Sequence, residues 1–283
     1  MSHVKLILKI LLSALVLCLF AGAIVFYFFI RSPLPTKGEH GPKADALAQR
    51  IQRSVQRSAW TNTGAVSWSI FNRDYLWDLR RGLVRVQWDD GNKALFDIKR
   101  RRSLIYKKGK RIEGAQSDQL LDEAYQYWLQ DRFLLEPTQS FFQKGVIRHL
   151  IPNGKKDSLF ITFQKVDGTL GDSFQFYINE NSRPIAMRIW SEKLPIHGLH
   201  LKLQDWTTLK TGLKVSQLRS SGFIEVPIKI KADRSLRQLL GKTKDPFEEI
   251  QPDPFDPSPT SQPNILTRDE TKTIKATSES VEL

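Results

Sequence analysis

The sequence predicts an α+β protein: a strongly curved antiparallel sheet with two helices on its concave face, an N-terminal transmembrane helix before it and a disordered tail after it. Three observations carry this. Residues 10–30 form an uncharged apolar run. Two stretches of helical periodicity are set among many segments that alternate apolar and polar residues. From residue 232 onward periodicity fades and proline accumulates. The expected organisation is an anchor at 1–31, a linker at 32–43, the curved-sheet domain at 44–231 and a Pro-rich, largely disordered tail at 232–283.

The apolar run begins at Ile10, ends at Ile30 and holds only Ser13 as an ordinary polar side chain. As a helix it reaches roughly 31 Å, close to the hydrocarbon thickness of a bilayer. A helix also satisfies every backbone polar group in lipid. Phe26, Tyr27, Phe28 and Phe29 crowd its far end, and Tyr27 suits the membrane–water boundary. Cleavage as a signal would use Ala21-Gly22-Ala23 and leave the apolar stretch 24–30 as the new terminus. Cys18 follows Leu17, where lipoprotein processing wants a small residue, so Cys18 reads as a small apolar side chain in lipid. An uncleaved signal anchor is therefore expected. Lys5 and Lys9 stand on one flank and Arg31, Lys37 and Lys43 on the other, so charge alone does not orient the span. A short leader, a span and then the whole domain is the layout of a chain whose domain lies outside the cytoplasm. No cysteine follows Cys18, so that domain has neither disulfide nor thiol.

Residues 31–231 carry 34 Lys and Arg against 20 Asp and Glu, whereas 232–283 carry 7 against 10. A basic domain thus bears a mildly acidic tail, and its field favours anionic partners.

In chain order, Pro33, Pro35, Gly38, Gly41 and Pro42 mark the linker. From Ala44, Leu47, Ile51 and Val55 recur every four residues, which predicts a basic amphipathic helix docked on the core rather than on a membrane surface. Strands follow at 65–71, 83–88, 93–99, 103–107 and 110–113, with turns at Asp89-Asp90-Gly91-Asn92 and Lys108-Gly109. A second helix spans 118–131, with Ser117 as N-cap and a wide apolar face that includes Leu121, Tyr125 and Trp128. Pro137 limits its continuation. A longer meander then runs from Val146 to Ile230, where Pro227 suits an edge strand. Ser235 to Leu240 reads as a short helix. Six prolines between Gly241 and Pro263 read 241–283 as disordered.

The sequence is poor in chemistry. It has no P-loop, HExxH, paired cysteines, GxSxG elbow or EF-hand loop. His197 and His200 do not share a face on a strand, and Asp89-Asp90 suits turn capping. The expectation is a non-enzymatic protein without cofactor or metal. Lys99, Arg100, Arg101, Arg102, Lys107, Lys108, Lys110 and Arg111 place eight cations in thirteen positions. They form either a grip on phosphate groups of lipid or lipopolysaccharide, or a solvated edge that blocks sheet-to-sheet pairing. The second helix is expected against Trp88 and Phe96. With Leu121, Tyr125 and Trp128 these residues would line any apolar cavity under the sheet.

The order helix, meander, helix, long meander resembles the periplasmic lipoprotein carriers LolA and LolB, whose fold is an open half-barrel capped by helices. Stretches 75–86, 124–137 and 168–174, with Asp205-Trp206, resemble a group of exported bacterial proteins sharing that fold. The resemblance implies a domain in the periplasm, anchored by one pass in the bacterial inner membrane. It also implies a binding module for a lipid or lipidated protein; if the domain is extracytoplasmic, no nucleic-acid partner is expected. The anchor and tail depart from the carriers, since a shuttle must diffuse. A tethered receptor fits better. The alternative from the residues alone is an envelope interaction protein with a filled core and a basic binding face.

Overall fold

The computed structural model describes residues 9, 12–22, 32–36, 38–89, 91–98, 102–135, 137–152, 154, 156–165, 170–191, 197–222, 224–241 and 244–250. The fold is α+β, with two antiparallel sheets, neither of them closed into a barrel. The chain opens with β1 (Glu39–His40), helix α1 (Pro42–Ser54) and a 3-10 turn (Arg57–Asn62). A meander follows: β2 (Ala65–Ile70), β3 (Arg73–Asp78), β4 (Leu83–Trp88), β5 (Asn92–Asp97), β6 (Ser103–Lys107) and β7 (Lys110–Ile112). Helix α2 (Ala115–Leu135) and a 3-10 turn (Pro137–Ser140) lead to the second meander. Its strands are β8 (Val146–Ile151), β9 (Ser158–Gln164), β10 (Leu170–Ile178), β11 (Pro184–Trp190), β12 (Leu199–Thr208), β13 (Lys214–Ser220), β14 (Glu225–Pro227) and β15 (Lys229–Asp233). Helix α3 (Leu236–Leu240) and a 3-10 turn (Glu248–Ile250) come last.

Hydrogen bonding divides these strands into two sheets where the sequence suggested one. The first has the order β1-β8-β9-β10-β11-β12-β13-β14 and the second β15-β2-β3-β4-β5-β6-β7. They meet where one extended segment changes partner. β14 pairs with β13, Ile228 donates to the Gln217 carbonyl at 2.7 Å, and β15 then pairs with β2. Pro227 has no N–H to donate, and it lies on the outermost strand of the first sheet, where that loss is tolerated.

Each helix covers one sheet. Ala44, Leu47, Ala48 and Ile51 of α1 pack with Leu159, Ile161, Phe176 and Met187 of the first sheet. That is the core-docking role expected for this helix. Ala124, Trp128 and Leu135 of α2 pack with Val84, Val86, Trp88 and Phe96 of the second. Helix α2 is longer than the predicted 118–131 and starts two residues before Ser117, after Gly114, whose φ of 76° places it in the left-handed region.

Three local readings change. The linker contains β1, whose Glu39 and His40 pair with Leu150 and His149 and cover the β8 edge. Strand β3 is additional to the predicted series. Its hairpin turns at Phe71 and Asn72, both at positive φ, without the glycine or proline that would announce a turn. The packed chain also extends past residue 231. α3, Phe247 and Ile250 cover the outer face of the second sheet over Leu76, Leu83, Leu95 and Tyr106. Arg81 clamps Asp245 with two bonds, of 2.6 and 3.1 Å, and Tyr106 donates to Glu249. Burial and that carboxylate push the Tyr106 phenol up to about 12. The disorder read for 241–283 therefore fails for 244–250, because two apolar side chains meet an apolar sheet face there. Residues 251–283 lie outside the described residues. Phe247 is 0 % exposed. Phe247→Ala is expected to lower stability by about 3 kcal/mol, the low end for such a change because a surface segment can collapse around the gap. The urea midpoint measures it, and an unchanged midpoint would mean that the segment does not pack in solution.

Among the described residues no helix is long and apolar enough to cross a membrane. Residues 12–22 are helical and exposed, while the rest of the expected span at 10–30 lies outside the described residues.

Candidate functional site

The inner face of the second sheet gathers aromatic side chains because β4 and β5 alternate. Val84, Val86 and Trp88 of β4 face Phe96 and Ala94 of β5 on one side, and α2 lies across them. The five expected cavity residues do come together. Phe96 stands 5.9 Å from both Tyr125 and Trp128, ring centre to ring centre, and Leu121 packs on the same cluster. Trp88 meets Tyr127, at 6.3 Å, one helix position from where the sequence suggested a contact with α2. Trp77 adds an edge-on contact to Trp128 at 5.7 Å, and Trp60 stands 6.2 Å from Trp77. Trp128 is 0 % exposed. Among the described residues these rings pack against one another across the sheet and α2. The indole N–H groups of Trp60, Trp68, Trp77, Trp88 and Trp128 are buried with no hydrogen-bond partner among the described residues.

Two buried charges next to this core escaped sequence reasoning. Asp131, 1 % exposed, lies on α2 and accepts from Arg73 at 2.8 and 3.1 Å and from the Tyr75 hydroxyl at 2.5 Å. Burial raises the Asp131 carboxyl above its ordinary range, and the Tyr75 and Arg73 bonds pull it partly back. Burial and the Asp131 carboxylate also raise the Tyr75 phenol. Arg219 of β13 is 2 % exposed and has no carboxylate partner among the described residues. It donates to the carbonyl and hydroxyl of Ser216 and, at 2.8 Å, to the Leu134 carbonyl in the last turn of α2. Burial draws its guanidinium down to about 10. The negative end of the helix dipole compensates part of the charge. Spacing gave no signal for these long-range ties, because Arg73 and Tyr75 lie 58 and 56 positions from Asp131, and Leu134 lies 85 from Arg219.

The basic cluster is partly described. Lys107, Lys108, Lys110 and Arg111 are all exposed on the β6–β7 hairpin, at the outer edge of the second sheet. Arg102 is half-buried, while Lys99, Arg100 and Arg101 lie outside the described residues. The hairpin turns at Lys108 and Gly109, both at positive φ, as their types suggested. Register places Lys107 directly opposite Lys110, a like-charge pair that destabilises the free hairpin. Arg111 has Glu113 at 3.2 Å, an exposed pair of little energetic weight. No carboxylate among the described residues pairs with Lys107, Lys108 or Lys110.

Two open grooves lie elsewhere. One, of about 700 Å³, runs beside Tyr177, Ile185, His200 and Lys202. Burial, Arg188 and Lys202 lower the His200 imidazole there. The other, of about 530 Å³, lies between Arg81, Leu236 and Asp245 where 244–250 docks. Neither is lined by the five aromatic-site residues. Among the described residues no group of three His, Cys, Asp or Glu side chains is placed to hold a metal ion. Comparison with protein-family models, curated proteins and solved structures finds no match to this chain.

Proposed function

We propose that the chain is a non-enzymatic interaction protein of the bacterial envelope that binds a phosphate-bearing anionic surface through its β6–β7 hairpin. In this reading residues 10–30 anchor it in the inner membrane, and the domain lies in the periplasm as an open half-barrel, with α1 and α2 on the concave side. The observation that carries it is the hairpin itself: Lys107 opposite Lys110, flanked by Lys108 and Arg111, all exposed. A phosphate surface relieves that repulsion, and the attraction falls with salt. The filled aromatic core argues against a cargo cavity as the main site.

The full chain in nanodiscs of phosphatidylcholine should bind vesicles containing phosphatidylglycerol and ignore neutral ones. Replacing Lys107, Lys108, Lys110 and Arg111 together by Gln should weaken binding at least tenfold at 0.1 M salt. An edge guard gives a different result: the same variant would keep its binding and aggregate instead.

A second reading, the lipid or lipoprotein receptor implied by the resemblance to the LolA and LolB carriers, is favoured by the five unpartnered indole N–H groups in the interior. A ligand carrying acceptor groups among its apolar atoms would satisfy them. Native mass spectrometry of the full chain released from detergent decides it, through lipid retained at one molecule per chain.

A further inference from the structure

The segment Asp245-Pro246-Phe247 fills a socket on the outer face of the second sheet, and each of its three residues has a role there. Arg81 grips the Asp245 carboxylate with both Nη atoms, at 2.6 and 3.1 Å, while its Nε donates to Asp78 at 2.8 Å. The Asp245 carboxylate also accepts from the Phe247 backbone N–H at 3.0 Å, which closes a tight turn around Pro246. Proline presets the backbone for such a turn. The Phe247 ring is fully buried against Leu76, Leu83 and Leu95, with the Arg81 guanidinium 5.6 Å from its centre. The same three residue types recur in the same order eight positions later, as Asp253-Pro254-Phe255. We propose that the socket is a recognition site for the Asp-Pro-Phe sequence, and that Asp253-Pro254-Phe255 of the same chain is its second ligand, docking there when 245–247 leaves.

A proline-rich, polar stretch has little use for an aromatic side chain in water. Phe255 stands in such a stretch, behind the acid and the proline that the socket accommodates. The planar guanidinium of Arg81 takes a carboxylate in two parallel bonds, so it selects an aspartate placed two residues before the buried ring. Reach permits the exchange. Five positions separate Leu240, the end of α3, from Asp245, and thirteen separate it from Asp253. Extended, these spans cover roughly 17 and 43 Å, so the second copy reaches the same socket with chain to spare. The two copies are not equal. Glu248, Glu249 and Ile250 follow the first, whereas Asp256, Pro257 and Ser258 follow the second. Glu249 accepts from the Tyr106 hydroxyl and Ile250 is buried, so the first copy makes two contacts that the second lacks. That difference makes 245–247 the preferred occupant and 253–255 the reserve.

Urea unfolding of the full chain in dodecyl maltoside gives the first test. Phe255→Ala alone should leave the midpoint unchanged, because the first copy holds the socket. In the Phe247→Ala background the same change should lower the midpoint further, because the second copy is then the occupant. Equal effects of Phe255→Ala in the two backgrounds overturn the proposal. A further fall that varies with chain concentration places the ligand on a second copy and overturns the assignment to the same chain. The second test adds a fluorescein-labelled peptide of residues 251–260 to the full chain carrying both Phe247→Ala and Phe255→Ala. Its anisotropy should saturate, and the parent chain, whose socket is filled, should bind the peptide more weakly. Asp253→Asn in the peptide should raise the Kd about tenfold, the worth of a charge-assisted pair. This change leaves the folded chain untouched, so the loss cannot come from unfolding. A peptide of the same composition in scrambled order should not bind. Scrambled and ordered peptides binding alike, or an unchanged Kd for Asp253→Asn, would reduce the contact to non-specific attraction by a basic domain and overturn the site.

Discussion

Trp128→Ala is expected to destabilise the domain by about 3–5 kcal/mol, the range for removing a large buried ring. Trp128 touches Trp77, Phe96 and Tyr125 and carries the Arg132 guanidinium on its face. These partners come from β3, β5 and α2 itself, so they cannot all close on the gap without moving the helix across the sheet. The urea midpoint should fall with little change in slope, and any lipid carried by the purified protein should be unaltered. A small loss of stability together with loss of bound lipid would reverse the reading. Trp128 would then line a ligand space, and the receptor function would take precedence over the filled-core one.

Asp131→Ala should cost a similar amount, about 3–5 kcal/mol, for a different reason. Removing one partner of a buried ion pair leaves the other without its counter-charge. Here the side chain of Arg73, 18 % exposed, would lose both its bonds, and the Tyr75 hydroxyl would lose its acceptor. The double variant Arg73→Met with Asp131→Leu should recover much of the loss, because an apolar pair of similar volume replaces a buried ion pair at little cost. Denaturation of Arg73→Met, of Asp131→Leu and of the double variant gives the coupling directly. Simple additivity would show that the pair does not tie α2 to β3. Acid should not unfold the protein through this group. Because burial raises the Asp131 carboxyl above 3.8, the folded chain takes up the proton at higher pH than the unfolded chain. The contribution of this group to stability is fully present below 3.8 and is lost as pH rises through the raised folded value.

What the sequence by itself determined is what depends on near neighbours along the chain. Leu47, Ile51 and Val55 at spacings of four could only mark one face of a helix, and they are buried as such. Val84, Val86 and Trp88 alternate, so they share a sheet face, and the apolar stripe with Tyr125 and Trp128 had to find such a face. The Lys108-Gly109 turn and the exposed cations around it were equally local. The tertiary structure alone decided which distant partners meet. Phe71 and Asn72 turn without glycine or proline, so β3 could not be told from the end of β2. Partner choice at Ile228 splits one expected sheet into two, and no property of Ile228 itself encodes which strand it will meet. Arg73 finds Asp131 across 58 positions. Phe247 and Ile250 sit in a proline-rich stretch whose composition reads as disorder. They pack because the outer face of the second sheet leaves Leu76, Leu83 and Leu95 to be covered, and that face exists only once the strands have paired.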